Sequence, residues 1–306
     1  MLKIIVKDIK GRSVKLPVCT SLRYISSYDA PASSLEFRAV INSDVKELVS
    51  CELIYDGERI FSGIIDEQSE SRSENGRTLD IRARSMEALL LDNEAKPQRY
   101  NLPGFDLLYE RHFRPLGFKG YIGSDRAYNG ELNVTKGKSE WSVLSEFCRK
   151  FTGTQPVITD DMRIDISGSQ VPGHIHIVKD RIISLKKTIR RSALISEIYA
   201  RTRRSGGYDM CLESDEDVSG IIRKRYVDIS ESRLHSIDEV QEMLYSTCSA
   251  YKSAEVLCSG MVFCRPGDRL VIEGEKRCYI VKELCMTFSA EGERTRIKAE
   301  VERNVA

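Results

Sequence analysis

The sequence predicts a mainly β protein in which a small α+β insert separates two β-barrel or β-sandwich domains. Two stretches carry this prediction, residues 48–84 near the start of the chain and residues 268–302 at its end. In each stretch, apolar residues alternate with polar ones between turn dipeptides, which is typical of hairpins of half-buried strands. Between the two stretches the apolar spacing changes to that of amphipathic helices, which indicates a segment of a different class.

The first stretch consists of three strands and two tight turns. The turns are Asp56-Gly57 and Asn75-Gly76, and both dipeptides supply the positive φ that two-residue hairpin turns require. The third strand, Thr78–Arg84, alternates apolar with charged residues, which is the period of a strand with one face in a core. The sequence therefore predicts an antiparallel meander here.

The second stretch repeats this pattern. Glu273-Gly274 and Glu291-Gly292 take the places of the two turns, and the turn glycines are 18 residues apart, compared with 19 in the first stretch. The run Tyr279-Ile280-Val281 corresponds to the apolar run from Phe61 to Ile65. We interpret the two stretches as one all-β unit that the chain uses twice.

These patterns divide the chain into three domains. We expect a first β domain over residues 1–95, an α+β domain over residues 96–172, and a second β domain with one helix over residues 173–306. A chain of 306 residues is too long for one small core and suits two or three domains.

Further elements of the first two domains follow from the apolar spacing. The first domain has a predicted hairpin over Lys10-Gly11, a strand Ser34–Ile41, and a helix Ser85–Leu91 with Ser85 as its N-cap. In the α+β domain we expect helices over Phe105–Leu116 and over Ser139–Thr152. Ser139 caps the second of these and Gly153 ends it, and a short hairpin around Asp160-Asp161 follows.

The second β domain contains one predicted helix among its strands. Alternation indicates strands within Ile182–Leu185, Leu194–Thr202 and Ile221–Ile229. Ser236 and Glu239 form a capping box that starts the helix. The buried stripe of this helix consists of Ile237, Val240, Leu244, Cys248 and Tyr251.

The segment Asp66–Asn75 is polar and has no helical period, and two interpretations of it stay open. It is either a solvated loop or the arm of a long hairpin that adds to the sheet of a neighbouring subunit. Its counterpart in the second stretch, Glu283–Glu291, is more apolar. This difference favours two different neighbours for the two copies.

The composition excludes several classes of function. The formal net charge is +1, with acids and bases mixed along the chain, whereas a dedicated nucleic-acid-binding protein usually has a net basic face. Nothing at the N-terminus resembles a signal peptide, and no apolar run approaches the roughly 20 residues of a membrane-spanning helix. We expect neither specific nucleic-acid binding nor stable membrane insertion. The nine cysteines form no CxxC pair, which predicts free buried thiols in a reducing compartment.

His174 and His176 have the only spacing in the sequence that is typical of metal ligands. Residues i and i+2 of a strand point to the same side, so both imidazoles could reach one ion. The alternative is an exposed pair in a linker flanked by glycine and proline. No carboxylate or thiol accompanies the pair in sequence, so we favour this alternative and predict no metal site.

Cys148 and His112 are the candidates for a thiolate and its base. Cys148 lies on the apolar face of its predicted helix, where a thiol is usually inert. No phosphate loop, dinucleotide-binding motif, HExxH or serine-elbow pattern is present in the sequence. We therefore predict no catalytic residue and no cofactor.

Five arginines form a local basic cluster. They could contact DNA phosphates or an acidic partner surface. Alternatively, they occupy exposed positions of a hairpin that faces nearby acidic residues, and charge patterning favours this second interpretation. The arginines are Arg190, Arg191, Arg201, Arg203 and Arg204, and the acidic residues are Glu213, Asp215, Glu216 and Asp217.

Several motifs together resemble a known family. Gly63-Ile64-Ile65-Asp66, a polar segment, Gly76, a strand and the short helix Ser85–Asp92 follow one another in a characteristic order. The helix Ser139–Thr152 and the run Arg265–Ile272 also occur where that family has them. In this order and spacing the chain resembles the baseplate hub proteins of phages, namely the late control protein D group and the related hubs of prophage-like contractile tails. The likeness covers nearly the whole chain.

The resemblance implies two tube-like β domains in each chain and a homotrimer in which six such domains form a ring. The ring would offer a pseudo-sixfold face to the hexameric tail tube and a threefold face to the trimeric central spike, around an axial channel. The implied partners are the tail tube protein, the central spike protein and other baseplate proteins, with the tape measure protein as a further candidate. The implied location is the virion tail baseplate, or a tail-like particle, made in the host bacterial cytoplasm.

Three hypotheses about function follow. The first is a structural baseplate hub with no enzymatic activity. The second is a tail-associated hydrolase that uses a thiol such as Cys148. The third is a distal-tail module of a siphophage, for which we expect a long receptor-binding extension that this sequence does not show after Ala306.

Overall fold

The computed structural model describes residues 2–16, 18–74, 76–153, 155–159, 161–169, 171–202, 206–214, 220–229 and 237–302. The chain divides into two compact units. Met1–Val171 and Thr287–Gly292 form unit 1, and Pro172–Met286 and Glu293–Ala306 form unit 2. Strands predominate over helices in the described residues, so the predicted mainly β fold class is confirmed. The three-domain division stays a prediction.

Seven strands form the β part of unit 1. In the sheet they follow the order β3-β4-β7-β6-β5-β1-β2, and every pair is antiparallel. The strands are β1 (Leu2–Asp8), β2 (Ser13–Val14), β3 (Val18–Ser27), β4 (Ala30–Val40), β5 (Leu48–Tyr55), β6 (Glu58–Ser73) and β7 (Gly76–Ser85).

The predicted alternation places apolar side chains in the core of this sheet. β4 and β7 lie side by side, and their apolar residues face one another in register while the charged residues between them point outward. The buried pairs are Leu35–Ala83, Phe37–Ile81 and Ala39–Leu79. These pairs confirm the strand prediction for Ser34–Ile41 and for Thr78–Arg84.

The sequence did not predict β3. Its buried residues Leu22 and Tyr24 are two apart, as strand period requires. However, its pairing with β4 shifts register between Cys19 and Ser21 and again between Ile25 and Ser27. These irregularities interrupt the alternation that sequence patterning detects.

The polar segment Asp66–Asn75 is not a solvated loop. β6 continues through it and pairs with β7 as far as Ser73, which lies opposite Gly76. The segment is therefore the arm of a long hairpin, as the second interpretation proposed. Asn75 itself lies outside the described residues.

The prediction that Ser85 caps the following helix is wrong. The helix α1 is Ala88–Asp92, and its N-cap is Glu87, which makes no side-chain capping bond. The Ser85 hydroxyl instead accepts a hydrogen bond of 2.9 Å from the backbone N–H of Ser33. Ser85 ends β7, and this cross-strand bond uses the group that the sequence assigned to a cap.

The remainder of unit 1 contains short strands and two longer helical segments. The helix α2 (Phe105–Leu108) is extended by a π-helical turn, Tyr109–Phe113, and a 3₁₀ turn, Arg114–Leu116. The helix α3 (Glu140–Phe147) is extended by a π-helical turn, Cys148–Thr152. Both predicted helices are thus confirmed. The elements are β8 (Gln98–Asn101), α2 (Phe105–Leu108), β9 (Gly120–Ile122), β10 (Glu131–Val134), α3 (Glu140–Phe147), β11 (Val157–Ile158) and β12 (Arg163–Asp165).

These elements enclose a separate aromatic core. Ser139 caps α3 by accepting a 3.2 Å bond from the N–H of Ser142, and Gly153 ends the helical segment in the left-handed region. The ring of Phe105 lies 5.2 Å from that of Phe147 and 5.8 Å from that of Phe113, and all three are fully buried. The predicted hairpin is present as β11 and β12, and Asp160 of its turn lies outside the described residues.

Unit 2 contains nine strands, β13 to β21, and one α-helix, counted over its described residues. Two of these strands, β20 and β21, extend into the hairpin tip Thr287–Gly292, which belongs to unit 1. The elements are β13 (His174–Ile177), β14 (Ile182–Ile189), β15 (Glu197–Arg201), β16 (Met210–Glu213), β17 (Lys224–Asp228), α4 (Ile237–Tyr251), β18 (Lys252–Ser259), β19 (Arg269–Ile272), β20 (Cys278–Ser289) and β21 (Gly292–Val301).

The strand order of the first β part is repeated in the second. The series β14-β18-β21-β20-β19-β13 corresponds, strand for strand, to β3-β4-β7-β6-β5-β1. The correspondence includes the two predicted meanders, β5-β6-β7 and β19-β20-β21. One strand departs from the copy, because β13 runs parallel to β19 whereas β1 runs antiparallel to β5.

A separate module is inserted in the second copy. In the first copy, β3 and β4 are joined by the short turn at Tyr28-Asp29. In the second copy, residues 190–251 stand at the same place between β14 and β18 and form the sheet β16-β15-β17 and α4. The module has a small core that includes Ile198, Val240 and Leu244.

The helix α4 confirms the predicted apolar stripe. Val240, Leu244, Cys248 and Tyr251 are buried, and Ile237 is half-buried. Ser236 and the Glu239 side chain, which the predicted capping box requires, lie outside the described residues. Over the part of the chain that the structure describes, no helix is both long and apolar enough to span a bilayer.

Asp8 organises the turn between β1 and β2. Its Oδ1 accepts the backbone N–H groups of Lys10 at 2.9 Å and Arg12 at 3.0 Å, and its Oδ2 accepts the Arg12 Nε and Nη2 at 2.9 and 2.7 Å. The Arg12 side chain is the main reason why the pKa of Asp8 lies below its usual range. The carboxylate is buried, so the turn depends on its being ionised.

We expect Asp8→Asn to lower the free energy of unfolding at neutral pH. Since the folded-state pKa is depressed, this contribution is fully present above the unfolded pKa of about 4 and is lost as the pH falls through the lower folded value. Urea unfolding from neutral pH down to about pH 3 should therefore show the variant and the parent converging. Asp29→Asn, at an exposed turn residue, is the control. A difference that does not vary with pH would contradict this account.

Gly63 is required by close packing between β6 and β7. It lies opposite Ser85 in register. A Cβ atom built on Gly63 would lie 2.1 Å from the carbonyl oxygen of Arg84 and 2.5 Å from the Phe61 ring. The glycine of the Gly63-Ile64-Ile65-Asp66 motif therefore has a steric reason.

Gly63→Ala should destabilise the protein by about 1–3 kcal/mol, because the backbone of β7 has to move to admit the methyl group. Thermal unfolding of the variant measures this loss. Gly206→Ala is the matched control, since a Cβ atom at Gly206 meets nothing within 4 Å. An unchanged thermal midpoint for Gly63→Ala would contradict this expectation, because it would show that β6 and β7 move apart with little loss of stability.

Candidate assembly surfaces

The arm of the first hairpin, Asp66–Ser73 with its partner in β7, is held by cross-strand ion pairs. Its side chains are exposed except for Gln68, which is half-buried. Arginines of β7 pair with acids of β6 all along the arm. The pairs are Arg84–Asp66 at 2.7 Å, Arg82–Glu67 at 2.9 Å and Arg77–Glu70 at 3.2 Å.

Arg84 links the base of the arm to α1. It bonds Asp66 and also Asp92, at 2.7 Å each, and these two carboxylates raise its pKa above the usual value. Arg84 therefore stays charged at any physiological pH. The result is a fixed connection between the arm and the helix that follows it.

The arm also organises residues 42–48. The Gln68 Oε1 accepts the N–H of Leu48 at 2.9 Å, and the Gln68 Nε2 donates to the carbonyl of Val45 at 3.3 Å. Glu70 accepts the N–H of Val45 at 2.9 Å. Side chains of the arm thus satisfy backbone groups of the loop at residues 42–47 and of Leu48, the first residue of β5.

Beyond Ile64, β6 has a strand partner on one side only. Its pairing with β5 ends at Ser50–Ile64, whereas its pairing with β7 continues to Ser73–Gly76. Among the described strands, no other strand adds to the side of the arm that β5 leaves open. The arm is therefore a strand edge to which a strand of another chain can add.

The second candidate surface is the edge strand β14. It ends its strand path, and among the described strands it pairs with β18 alone. Ile183 is 53% exposed and Ile189 is 66% exposed. In β3, which holds the equivalent position in the first copy, Leu22 and Tyr24 are buried and no described side chain is a large exposed hydrophobe.

Three of the five clustered arginines, Arg190, Arg191 and Arg201, lie within the described residues. Arg201 lies 3.6 Å from Asp228, not beside the acidic residues that the sequence indicated. Arg190 and Arg191 are exposed at the end of β14. Arg203, Arg204, Asp215, Glu216 and Asp217 lie outside the described residues.

The inserted module presents an exposed aromatic face. The Tyr199 and Tyr226 rings stack at 5.3 Å, and Tyr208 meets Tyr226 edge-on at 5.4 Å. Lys224 lies over the Tyr199 ring at 5.3 Å and pairs with Glu197 at 2.9 Å. Exposed tyrosines with paired charges beside them are typical of protein-binding surfaces.

His174 and His176 lie on β13 with both side chains exposed. Among the described residues there is no cluster of three or more His, Cys, Asp and Glu side chains that could hold a metal ion. The pair is exposed, as the favoured alternative predicted, but it lies on a strand and not in a linker.

Cys148 and His112 occupy different environments in the aromatic core. Cys148 is fully buried at the start of a π-helical turn. His112, also buried, has its Nε2 2.7 Å from the Tyr100 hydroxyl and its Nδ1 2.8 Å from the Glu140 Oε2. Tyr100, His112 and Glu140 thus form a buried group of three polar side chains with the imidazole in the middle. A nucleophile has to reach its substrate, so the burial of Cys148 favours a structural role.

The cysteines are free thiols. Burial raises the pKa of Cys51 to about 12, with Glu52 as a smaller cause, and burial likewise raises that of Cys264 to about 12. Both thiols are therefore protonated and unreactive at neutral pH. Cys211 and Cys278 are exposed, which the sequence did not predict.

Solved structures provide a comparison for this geometry. A tail protein from Neisseria meningitidis MC58 matches with a TM-score of 0.75 and 17% sequence identity, over 98% of this chain and 96% of that chain. The 43 kDa tail protein of prophage MuSo2 from Shewanella oneidensis matches with a TM-score of 0.78 and 13% identity, over 98% of both chains. The chain has the fold of phage tail proteins.

The tail-protein fold confirms, at the level of architecture, the family resemblance seen in the sequence. An E. coli protein also matches, with a TM-score of 0.58 and 11% identity over 99% of this chain and 77% of that chain. It is described as a component of the type VI secretion system with structural similarity to the T4 bacteriophage tail proteins gp27 and gp5. No protein-family model and no curated protein matches the sequence.

Of the two candidate surfaces, sequence patterning located the arm, and it located a strand within Ile182–Leu185 without indicating that β14 is an edge. A signal for β14 was present, because Ile183 and Ile189 flank Lys186-Lys187. Isoleucines on an exposed strand, with lysines between them, are typical of an edge that is kept from indiscriminate pairing.

We expect Gln68→Ala to release the loop at residues 42–48 from the arm. The loss of about 1 kcal/mol of hydrogen bonding corresponds to about fivefold faster amide exchange at Val45 and Leu48. Hydrogen–deuterium exchange measures this change. Ser69→Ala, at the exposed neighbouring position, is the control and should leave these amides unchanged. Equal exchange in the two variants would contradict the role of Gln68.

Proposed function

We propose that this protein is a structural baseplate hub of a phage tail or a phage-tail-like particle. Three copies form a ring in which six β domains stand in pseudo-sixfold positions around an axial channel. The ring joins the hexameric tail tube to the trimeric central spike, and other baseplate proteins contact its outside. Its location is then the virion tail baseplate or the equivalent part of a tail-like particle.

The repeated strand order is the observation that carries this proposal. A homotrimer has threefold symmetry, whereas a hexameric tube has sixfold symmetry, and the two cannot match unless each trimer subunit offers two similar faces. A chain with the order β3-β4-β7-β6-β5-β1 and a second copy of it, β14-β18-β21-β20-β19-β13, has two such faces.

The folds of similar proteins of known structure support the same proposal. The structures that match over nearly their whole lengths are tail proteins, and a further match is described as similar to gp27 and gp5 of the T4 tail. Such likeness concerns the fold, so the trimer, the tube and the spike are parts of our proposal.

We propose no catalytic role for any residue. The strongest candidate nucleophile, Cys148, is fully buried, and its candidate base His112 is engaged with Tyr100 and Glu140. Thiol alkylation of the intact protein tests the hydrolase hypothesis, since a cell-wall-degrading activity that alkylation abolishes would favour it.

The oligomeric state tests the hub proposal directly. We expect light scattering on the purified chain to give about three times the monomer mass of 34.8 kDa, and electron microscopy to resolve a ring with an open axis. Labelling the chain in intact particles should place it at the tail end that carries the spike. A chain that is monomeric in the assembled particle would refute the proposal.

A further inference from the structure

We propose that the arm of one subunit, Asp66–Ser73, pairs with the edge strand β14 of the next subunit in the ring. The inference rests on the proposed trimer and names the contact that closes it. The partner is therefore a second copy of this chain, and the contact is main-chain hydrogen bonding between two strands.

The first argument is the repeat. The second hairpin, β20–β21, corresponds to the first, β6–β7. In the proposed ring of three chains the two kinds of β domain alternate, so the first β domain of one subunit has the second β domain of the next subunit as its neighbour. The arm belongs to the first copy and β14 to the second, so the two can meet between subunits.

The second argument is the state of the two edges. The arm has a strand partner on one side only, and β14 pairs only with β18 among the described strands. The two edges have equal length, since Asp66–Ser73 and Ile182–Ile189 each span eight residues. Pairing would satisfy main-chain groups on both strands at once.

The third argument is the exposure of Ile183 and Ile189. Two isoleucines at more than half exposure give this edge strand an apolar surface that pairing with another strand would bury. The equivalent strand β3 has no such residue among its described side chains. The difference between the two copies indicates that β14 is covered in the assembly.

The ion pairs of the arm favour main-chain over charge recognition. Asp66, Glu67 and Glu70 already bond the arginines of β7. Lys187 of β14 likewise bonds Glu275 at 2.9 Å. With these four side chains already paired, backbone bonds and burial of the isoleucines supply the contact.

The first experiment alters the edge. The double variant Ile183→Asp/Ile189→Asp should shift the protein from trimer to monomer in sedimentation velocity, while its circular dichroism spectrum stays that of the folded parent because both positions are exposed in the single chain. Ile222→Asp, a similarly exposed isoleucine in the inserted module, is the matched control and should remain trimeric. A double variant that stays trimeric would overturn the inference.

The second experiment detects the contact itself. Chains with Ser71→Cys and chains with Ser184→Cys, both also carrying Cys211→Ser and Cys278→Ser, are mixed, reassembled and treated with a short bis-maleimide. We expect a covalent link between the two kinds of chain, and none when either is treated alone. A wild-type trimer without this link overturns the inference and leaves the hub proposal intact. A wild-type chain that is monomeric overturns both.

Discussion

Main-chain hydrogen bonding at strand edges is the constraint on which the rest of this structure depends. Each β domain is a series of strands, and every strand has to find partners for its N–H and C=O groups. β6 meets this requirement in two ways, with β5 and β7 at its base and with β7 alone along its arm. The side chains of Gln68 and Glu70 then organise the adjacent loop. Strand edges without a second partner are what the chain offers to its neighbours in the proposed ring.

Sequence patterning recovered the features that depend on neighbouring residues. Tight turns, the alternation in Thr78–Arg84 and the capped helix after Ser139 are all local, and all are present. Sequence patterning missed β3 because two register shifts interrupt its alternation. The arm had two possible interpretations because both of its faces are exposed, so its sequence carries no apolar alternation. Ser85 was assigned to a cap because its true partner, Ser33, is distant in sequence.

For the candidate sites and surfaces, too, local properties could be predicted from the sequence and contacts between distant residues could not. The burial of Cys148 followed from its position on the apolar face of a helix, which is a local property. The pairing of Arg201 with Asp228, and the trio of Tyr100, His112 and Glu140, join residues from separate elements, so no spacing rule could have indicated them. That β14 is an edge depends on the order of all the strands, which only the structure provides.

The module at residues 190–251 has a consequence for how such chains diversify. The first copy joins the equivalent strands with a short turn at Tyr28-Asp29, so the sheet does not need the module in order to connect them. Because β14 and β18 are hydrogen-bonded neighbours, the two ends of the module are anchored side by side. Insertions of different length and surface chemistry can therefore occupy this position while the pairing of the two strands stays the same.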